Sequence, residues 1–117
     1  MANDMIILVR TFDLLSWLVP ACARFPRVFR DNVTARLIGA ALDTQDTLLL
    51  AQAARQGDTR LRHLQDSSAH VQRLRVYLRL AHHLQWPTDG QYAHVTKLVD
   101  HVGALLGGWL RQAQAPS

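Results

Sequence analysis

Four long segments of this sequence repeat apolar residues at spacings of three and four, and this pattern limits the fold more than any other feature. The spacing is typical of one face of an α-helix, and no segment alternates apolar and polar residues as a strand would. The breaks between the segments are short, so consecutive helices are expected to be antiparallel neighbours. The sequence therefore predicts an all-α protein, an antiparallel up-down four-helix bundle over residues 1–112, with a disordered tail at residues 113–117.

Two prolines, a glycine and a capping sequence set the expected ends of the helices. Pro20 is expected to bend or end the first helix, and Pro87 to end the third. Gly57 is expected to end the second helix in the left-handed conformation. Thr88 and Gln91 have the spacing of a capping box at the start of the fourth helix. The first three predicted helices cover about residues 4–22, 28–56 and 60–85, and the fourth ends near residue 111.

One apolar stripe on each predicted helix is expected to face the core. Other large apolar residues lie off these stripes, among them Ile7, Leu14 and Trp17 on the first helix. The expected core stripes, in chain order, are Ile6, Val9, Phe12, Leu15, Leu18 and Cys22; Leu37, Ile38, Ala41, Leu42, Leu48 and Leu49; Leu61, Leu64, Val71, Leu74, Leu78 and Ala81; and Tyr92, Val95, Leu98, Val99, Val102, Leu105, Leu106 and Trp109.

A second apolar stripe on the third helix consists of Tyr77, Leu80 and Leu84, at positions i, i+3 and i+7. Two interpretations are open. A wide core face with some exposed apolar atoms is normal in a globular protein. Alternatively, copies of the chain associate through this stripe, which makes its three residues candidates for an oligomer interface.

The composition excludes several kinds of catalytic or metal-binding site. All nine acidic residues are Asp, which excludes the glutamate-based di-iron sites of helical bundles and the His-Glu-x-x-His zinc site. The single Cys22 permits no intramolecular disulfide and no multi-cysteine site, and it lies on an apolar stripe. His63 and His70, like His94 and His101, are about 10 Å apart along a helix, too far to share one ion. The sequence thus indicates no catalytic residue, metal site, cofactor or small-molecule substrate.

Three glycines, Gly103, Gly107 and Gly108, interrupt the apolar stripe of the fourth helix. They do not form a phosphate-binding loop, because no strand precedes them and no Lys-Ser/Thr follows them. These glycines are expected to let the fourth helix pack closely against a neighbouring helix. The Trp109 side chain is expected to tuck under that neighbour.

Twelve of the thirteen basic residues are arginines, and the net charge of +4 is concentrated in the third helix. Arg75 and Arg79 share one helical face, and no acidic residue lies within four positions of either. Guanidinium groups bind phosphates bidentately, which favours nucleic acid or a phosphorylated partner, although a charge run is most often a solvated face. The candidate binding residues are Arg62, Arg73, Arg75 and Arg79 on the third helix and Arg24, Arg27, Arg30 and Arg36 around and after Pro26, with Arg73 directed toward the side of Tyr77 and Leu80.

The most distinctive stretches are TFDLLSWL at residues 11–18, FPR at 25–27, LRVYLRLA at 74–81 and VGALLGGW at 102–109. In order and spacing they resemble the accessory variability determinant (Avd) proteins of diversity-generating retroelements. Those proteins belong to a wider group of four-helix bundles that includes proteins encoded in intervening sequences of 23S ribosomal RNA genes. The resemblance extends from about Leu8 to Arg111, and its most specific parts are the Leu-Arg-x-x-Leu-Arg pattern and the closing Leu-Gly-Gly-Trp.

This resemblance implies a protomer that assembles into a pentameric barrel with a basic surface. The implied partners are the retroelement reverse transcriptase and its template-repeat RNA, or an RNA/DNA hybrid. The implied role is non-catalytic support of mutagenic complementary-DNA synthesis, and Arg75 and Arg79 stand at basic positions of the family's third helix. The alternative is a bundle of the 23S intervening-sequence type that acts as an interaction scaffold without a reverse transcriptase.

The sequence predicts a cytoplasmic protein that does not associate with a membrane. The longest apolar stretch, residues 14–23, contains Ser16 and Pro20 and has about half the length of a membrane-spanning helix. No basic region of a signal peptide precedes Ile6. A single cysteine is typical of a reducing compartment.

Overall fold

The computed structural model describes residues 2–55 and 57–115, and within them the chain forms four long helices and no strand. They are α1 (Ala2–Cys22), α2 (Ala35–Ala53), α3 (Gly57–His83) and α4 (Asp89–Gln114). The predicted all-α four-helix bundle is confirmed. Of the predicted tail, residues 113 and 114 belong to α4, and residues 116 and 117 lie outside the described residues.

Contacts between helix ends show how the helices are arranged. Near the end of α2, Gln52 Nε2 lies 3.6 Å from the sulfur of Met5, near the start of α1. The ring of Trp17, near the end of α1, lies 5.3 Å from that of His94, near the start of α4. The connections between α2, α3 and α4 are short, so these helices are also antiparallel. Each helix packs against its neighbours in the chain, and α1 closes the bundle against α4.

The predicted core stripes of α3 and α4 are confirmed, except that Leu61 on α3 is only half-buried and lies outside the core cluster. Each of these helices has one dominant apolar stripe, so only one orientation of the helix buries that stripe in the core of the bundle. Ser67 is accommodated in the α3 stripe because its hydroxyl lies 2.6 Å from Thr47 Oγ1 of α2. The buried residues are Leu64, Ser67, Val71, Leu74, Leu78 and Ala81 on α3, and Val95, Val99, Val102, Leu106 and Trp109 on α4.

The predicted core stripe of α1 is wrong in its first half. Ile7 and Leu14 are buried, whereas Val9 and Phe12 are 52% and 62% exposed. α1 is apolar on two sides, and the side that contains Thr11 faces inward. The Thr11 hydroxyl donates to the carbonyl of Ile7 at 2.7 Å, so burial leaves this polar group satisfied.

The predicted stripe of α2 is correct only in part. Leu37 and Leu48 are buried, but Leu42 and Leu49 are about half exposed. Small side chains take the inward positions instead, and the Thr44 hydroxyl is satisfied by the carbonyl four residues earlier, at 2.8 Å. The full buried set on α2 is Leu37, Ala40, Ala41, Thr44, Leu48 and Ala51.

The connection between α1 and α2 is more structured than the sequence suggests, and α2 begins later than predicted. A 3-10 turn (Arg27–Phe29) and a π-helical turn (Arg30–Thr34) precede α2. Phe25 and Phe29 both pack on Trp86, in the connection between α3 and α4. These aromatic contacts tie the two connections together at one end of the bundle.

The expectation for Gly57 is wrong. This glycine begins α3 and has no positive φ, and α2 ends at Ala53. Arg60 reaches back from α3 and donates through Nε to the carbonyl of Ala51 at 3.0 Å. A basic side chain near the last carbonyls of a helix satisfies them without a left-handed glycine.

The end of α3 instead places Gln85 in the left-handed conformation, with φ 64°. The amide of Gln85 donates to the carbonyl of His82 at 2.9 Å, and the amide of Trp86 donates to that of Ala81 at 3.0 Å. This pair of bonds is a Schellman motif, which usually has glycine at the position of Gln85.

The predicted capping box is confirmed. The amide of Gln91 donates to Thr88 Oγ1 at 3.1 Å, and the amide of Thr88 donates to Gln91 Oε1 at 2.8 Å. α3 ends before Pro87 as predicted, while α1 continues two residues beyond Pro20. The caps and connections therefore fix the bundle end that contains Trp86.

Candidate nucleic-acid interface

Arg75 and Arg79, the first candidate residues, lie on the side of α3 that faces α4. Arg75 Nη1 donates to Asp100 Oδ1 of α4 at 2.5 Å. Arg79 is exposed and forms no ion pair within the described part of the chain. Arg79 therefore contributes more uncompensated positive charge than Arg75. A shallow groove of about 180 Å³ is lined by Arg75, Leu78, Arg79, Tyr92 and Thr96.

The next turn of α3 places His82 against the start of α4. The rings of His82 and Tyr92 are stacked, with centroids 4.0 Å apart and an interplanar angle of 2°. His82 Nε2 also lies 2.9 Å from Asp89 Oδ1. The carboxylate of Asp89 is thus held by a neighbouring imidazole.

Arg73 lies on the other flank of α3, the side that faces α2. Its Nη1 is 3.5 Å from Asp43 Oδ2 of α2 and 2.9 Å from His70 Nδ1. Arg62 is exposed in the second turn of α3. The arginines of α3 are therefore divided between two flanks and do not form one basic face.

The arginines of the α1–α2 connection, unlike those of α3, share the same surroundings. Arg24, Arg27 and Arg30 are all exposed, and none forms an ion pair among residues 2–55 and 57–115. Asp31 is the only acidic residue of this connection. Arg36 is exposed in the first turn of α2. This end of the bundle consequently has a surplus of positive charge.

Sequence reasoning missed the aromatic residues among these arginines. The ring of Phe29 stacks on that of Trp86, with centroids 5.2 Å apart and an interplanar angle of 24°. Phe25 packs on Trp86 at 5.6 Å with a tilted geometry. The available signal was the interleaving of phenylalanines and arginines at residues 24–30, a composition typical of nucleic-acid contact surfaces.

Of the three glycines of α4, only Gly103 adjoins a neighbouring helix, as expected, whereas Gly107 and Gly108 do not. The nearest side-chain atoms that a Cβ at Gly107 or Gly108 would meet belong to Arg111 of the same helix, at 3.5 and 3.9 Å. A Cβ at Gly103 would lie 2.8 Å from Nη2 of Arg75. Gly103 thus gives Arg75 room to reach Asp100, and the other two glycines adjoin no neighbouring helix.

Cys22 is buried at the end of α1, and burial raises the pKa of its thiol to about 12. A thiol held protonated at neutral pH is a poor nucleophile and a poor metal ligand. Among the described residues, no group of three or more His, Cys, Asp or Glu side chains is placed to hold a metal ion.

The exposed apolar surface is larger than the predicted stripe on α3. Tyr77 is half-buried against the core, and Leu80 and Leu84 are 38% and 45% exposed. Large exposed apolar residues also occur on α1 and α2, but none of the described residues of α4 belongs to this group. The additional ones on α1 and α2 are Met5, Ile6, Val9, Phe12, Val19, Leu42, Leu49 and Leu50.

By length and composition alone, α1 could cross a membrane over Asp4–Cys22. In the bundle, however, Ile7, Leu14 and Leu18 of this segment are buried against the other helices. A helix in the core of a bundle can have the same length and apolar composition as a membrane-spanning helix.

Fold and surface together define a four-helix bundle with exposed arginines at one end and an apolar surface away from α4. The model of the bAvd-like family matches residues 5–113, and the chain belongs to this family, which confirms the resemblance seen in the sequence.

Among solved structures, the chain is similar to a protein of unknown function from the S23 ribosomal protein family of Bacteroides thetaiotaomicron VPI-5482. The TM-score is 0.82 and the sequence identity 12%, over 93% of this chain and 98% of that chain. At this identity the likeness shows the fold alone. A comparison with curated proteins finds no match.

Proposed function

We propose that this bundle is a non-catalytic accessory protein of a diversity-generating retroelement. It acts as a homo-oligomer, a pentamer by its resemblance to Avd proteins, in the cytoplasm. It binds the reverse transcriptase and the template-repeat RNA, or an RNA/DNA hybrid, and supports mutagenic complementary-DNA synthesis. Membership of the bAvd-like family supports this assignment.

The observation that carries the RNA-binding part is the set of exposed arginines that form no ion pair with any residue the structure describes. Arg24, Arg27 and Arg30 lie together in one connection, and Arg79 lies on the α3–α4 side. A guanidinium without an acidic neighbour keeps its charge available to a phosphate. Five copies of a chain with net charge +4 would carry roughly +20 in one assembly, which increases the local field.

The distribution of apolar surface supports the oligomer. Met5 and Phe12 are seven residues apart, as are Leu42 and Leu49, so each pair lies on one face of its helix. The contact of Met5 with Gln52 brings the start of the α1 face beside the end of α2. Exposed apolar surface marks association sites, and α1 and α2 expose more large apolar residues than the α3 stripe does.

A pair of charge insertions tests the oligomer. Phe12→Glu with Leu49→Glu should convert the assembly to monomers, because two carboxylates cannot be buried without partners. Ala93→Glu with Ala104→Glu is the matched control, since both alanines are exposed on α4. Light scattering gives the mass, and circular dichroism shows that the helices persist. A wild-type mass of one chain at working concentration would refute the oligomer.

The RNA partnership is tested by the mass of the wild-type protein with a structured RNA in low and moderate salt. A complex that dissociates as salt increases is expected, because phosphate contacts release counterions. Absence of any complex at low salt would contradict the proposal. An acidic protein without RNA affinity would then be the better partner for the basic end.

The fold match to an S23-family protein favours a second candidate function, an interaction scaffold of the 23S intervening-sequence type. The two functions differ in genomic neighbourhood. A reverse transcriptase gene and a pair of near-identical repeats beside this gene would support the retroelement role. A position inside a 23S ribosomal RNA gene would support the scaffold.

A further inference from the structure

One end of the bundle presents an aromatic surface to solvent. The ring of Phe29 is stacked on Trp86 through one of its faces, and the residue as a whole is 37% exposed. Val28, the residue before it, is 76% exposed. Trp86 in turn packs on Phe25, which is buried. Phe29 is therefore the outer ring of an aromatic cluster that is anchored in the core.

Arginines flank this outer ring along the chain. Arg27 begins the 3-10 turn that contains Phe29, and Arg30 follows Phe29 directly. Arg24 precedes the turn and lines a cleft of about 280 Å³ with Trp17 and other residues of α1 and α4. All three arginines are exposed, and the ion pairs of the described residues include none of them.

The acidic residues near this surface are fewer than its arginines. Asp31 is the only acidic residue in the α1–α2 connection, which contains three arginines. Asp89, at the start of α4, is within 2.9 Å of the His82 imidazole. The surface thus combines a flat apolar ring with arginines that form no ion pair within residues 2–55 and 57–115.

We propose that this end of the bundle binds single-stranded RNA, with an unpaired base stacked on Phe29 and the adjoining phosphates held by Arg27 and Arg30. The proposal rests on the RNA partnership proposed above and specifies which form of RNA is bound and where. Aromatic rings that take stacked bases and arginines that follow the backbone are the two parts of a single-strand site.

The same chemistry argues against a duplex and against a protein as the preferred ligand. Bases inside a duplex are already stacked and cannot offer a face to Phe29. A protein that covered Phe29 would also cover the guanidinium groups of Arg27 and Arg30, so it would need matching carboxylates to offset their desolvation. A single strand supplies a flat face and regularly spaced negative charges together.

The test measures dissociation constants of the full chain by fluorescence anisotropy. The probes are an unstructured RNA of about 12 nucleotides and the duplex that it forms with its complement. Phe29→Ala should weaken binding of the single strand by about tenfold and leave its salt dependence unchanged. Arg27→Ala with Arg30→Ala should lower the slope of log affinity against log salt by about 0.7 for each arginine that contacts a phosphate.

Matched variants separate stacking from packing. Val28→Ala removes exposed apolar surface from the same turn without removing a ring, and its affinity should equal that of the wild type. Phe29→Tyr keeps the ring and should bind as the wild type does, whereas Phe29→Leu keeps apolar packing and should bind as Phe29→Ala does. Arg10→Ala is the charge control, because Arg10 is paired with Asp13 on α1.

The outcomes distinguish this inference from the function on which it rests. If the wild-type protein binds neither RNA, the proposed RNA partnership fails and the single-strand site fails with it. If the protein binds strand and duplex equally and Phe29→Ala changes neither, RNA binding stands and the stacking site is refuted. Preferential binding of a polyglutamate peptide that is lost in Phe29→Ala would assign the surface to an acidic protein and also overturn the proposal. If Phe29→Ala melts early, the comparison of Phe29→Leu with Phe29→Tyr decides instead.

Discussion

Arg75 of α3 and Asp100 of α4 form an ion pair across the two helices, with Nη1 2.5 Å from Oδ1. The two residues are 25 positions apart, so no inspection of neighbouring positions in the sequence reveals the pair. Arg79, one turn along the same side of α3, has no such partner among the described residues. Two arginines that look equivalent in the sequence therefore differ in the charge that they offer to a ligand.

This difference predicts unequal effects of two alanine substitutions. Arg79→Ala should weaken RNA binding and reduce its salt dependence, with a change in unfolding free energy within about 0.5 kcal/mol. Arg75→Ala should have a smaller effect on RNA binding and lower stability by about 0.2 to 1 kcal/mol, because the lost pair is partly exposed. Urea unfolding and RNA titration measure both quantities. Equal losses of affinity would show that Asp100 does not compete with the ligand for Arg75.

The conformation of Gln85 predicts a stabilising substitution. A residue with a side chain pays a cost of roughly 1 kcal/mol at positive φ, whereas glycine does not. Gln85→Gly should therefore raise the unfolding free energy by up to about 1 kcal/mol, since the Schellman bonds are made by the backbone. Thermal unfolding checks the direction, and Gln65→Gly, in the exposed interior of α3, should destabilise by a similar amount. A lower melting temperature for Gln85→Gly would mean that the Gln85 side chain makes a stabilising contact.

The glycines near the end of α4 give a second stability prediction. Gly107→Ala and Gly108→Ala should each raise stability by about 0.5 to 1 kcal/mol, because a Cβ there meets only Arg111 at ordinary contact distances. Chemical denaturation of the two variants measures the gain. A loss of stability that increases with protein concentration would place these glycines against another copy of the chain, as an interface in the oligomer.

Much of the fold follows from the sequence, and the errors have physical causes. α3 and α4 have one dominant apolar stripe each, so helical periodicity predicts both the helix and its inward face. α1 has two apolar sides, and periodicity cannot choose between them. Burial of the side that contains Thr11 is tolerated because its hydroxyl bonds to the carbonyl of Ile7. On α2, Thr44 is likewise buried with its hydroxyl satisfied, while Leu42 and Leu49 lie outside.

The candidate site is less predictable because its contacts join distant parts of the chain. Arginine composition indicates a basic surface, but ion pairs with Asp43 and Asp100 decide which arginines have their charge offset by a carboxylate. The stack of Phe29 on Trp86 brings together two connections that only the folded bundle places at the same end. Composition therefore predicts a basic surface, and the fold determines which arginines and aromatic rings lie together on it.

The buried ring of Trp109 should make the largest single contribution to stability among these predictions. It is 6% exposed, and the guanidinium of Arg60 lies 5.8 Å from its centroid. Trp109→Ala should cost about 3 to 5 kcal/mol through lost apolar burial and a cavity. Trp17→Ala, at a half-buried position beside His94, should cost less. Equal losses in urea unfolding would show that the end of α4 relaxes around the cavity.

Burial of Cys22 predicts a pH dependence of stability. The pKa of its thiol is raised from 9.0 to about 12, so between these values the unfolded chain loses a proton that the folded chain retains. Stability should therefore fall as pH rises from about 9 toward 12, by at most about 1.4 kcal/mol per pH unit from this group.

Comparison with Cys22→Ala isolates this contribution, because all other titrating groups are common to both proteins. The difference in unfolding free energy between wild type and Cys22→Ala should be constant below pH 8 and decrease above pH 9. Alkylation of the wild-type thiol at pH 8 should likewise be slow in the native state and fast in urea, since the thiolate is the reactive form. Rapid alkylation of the native protein would show instead that the end of α1 opens locally and exposes the thiol to solvent.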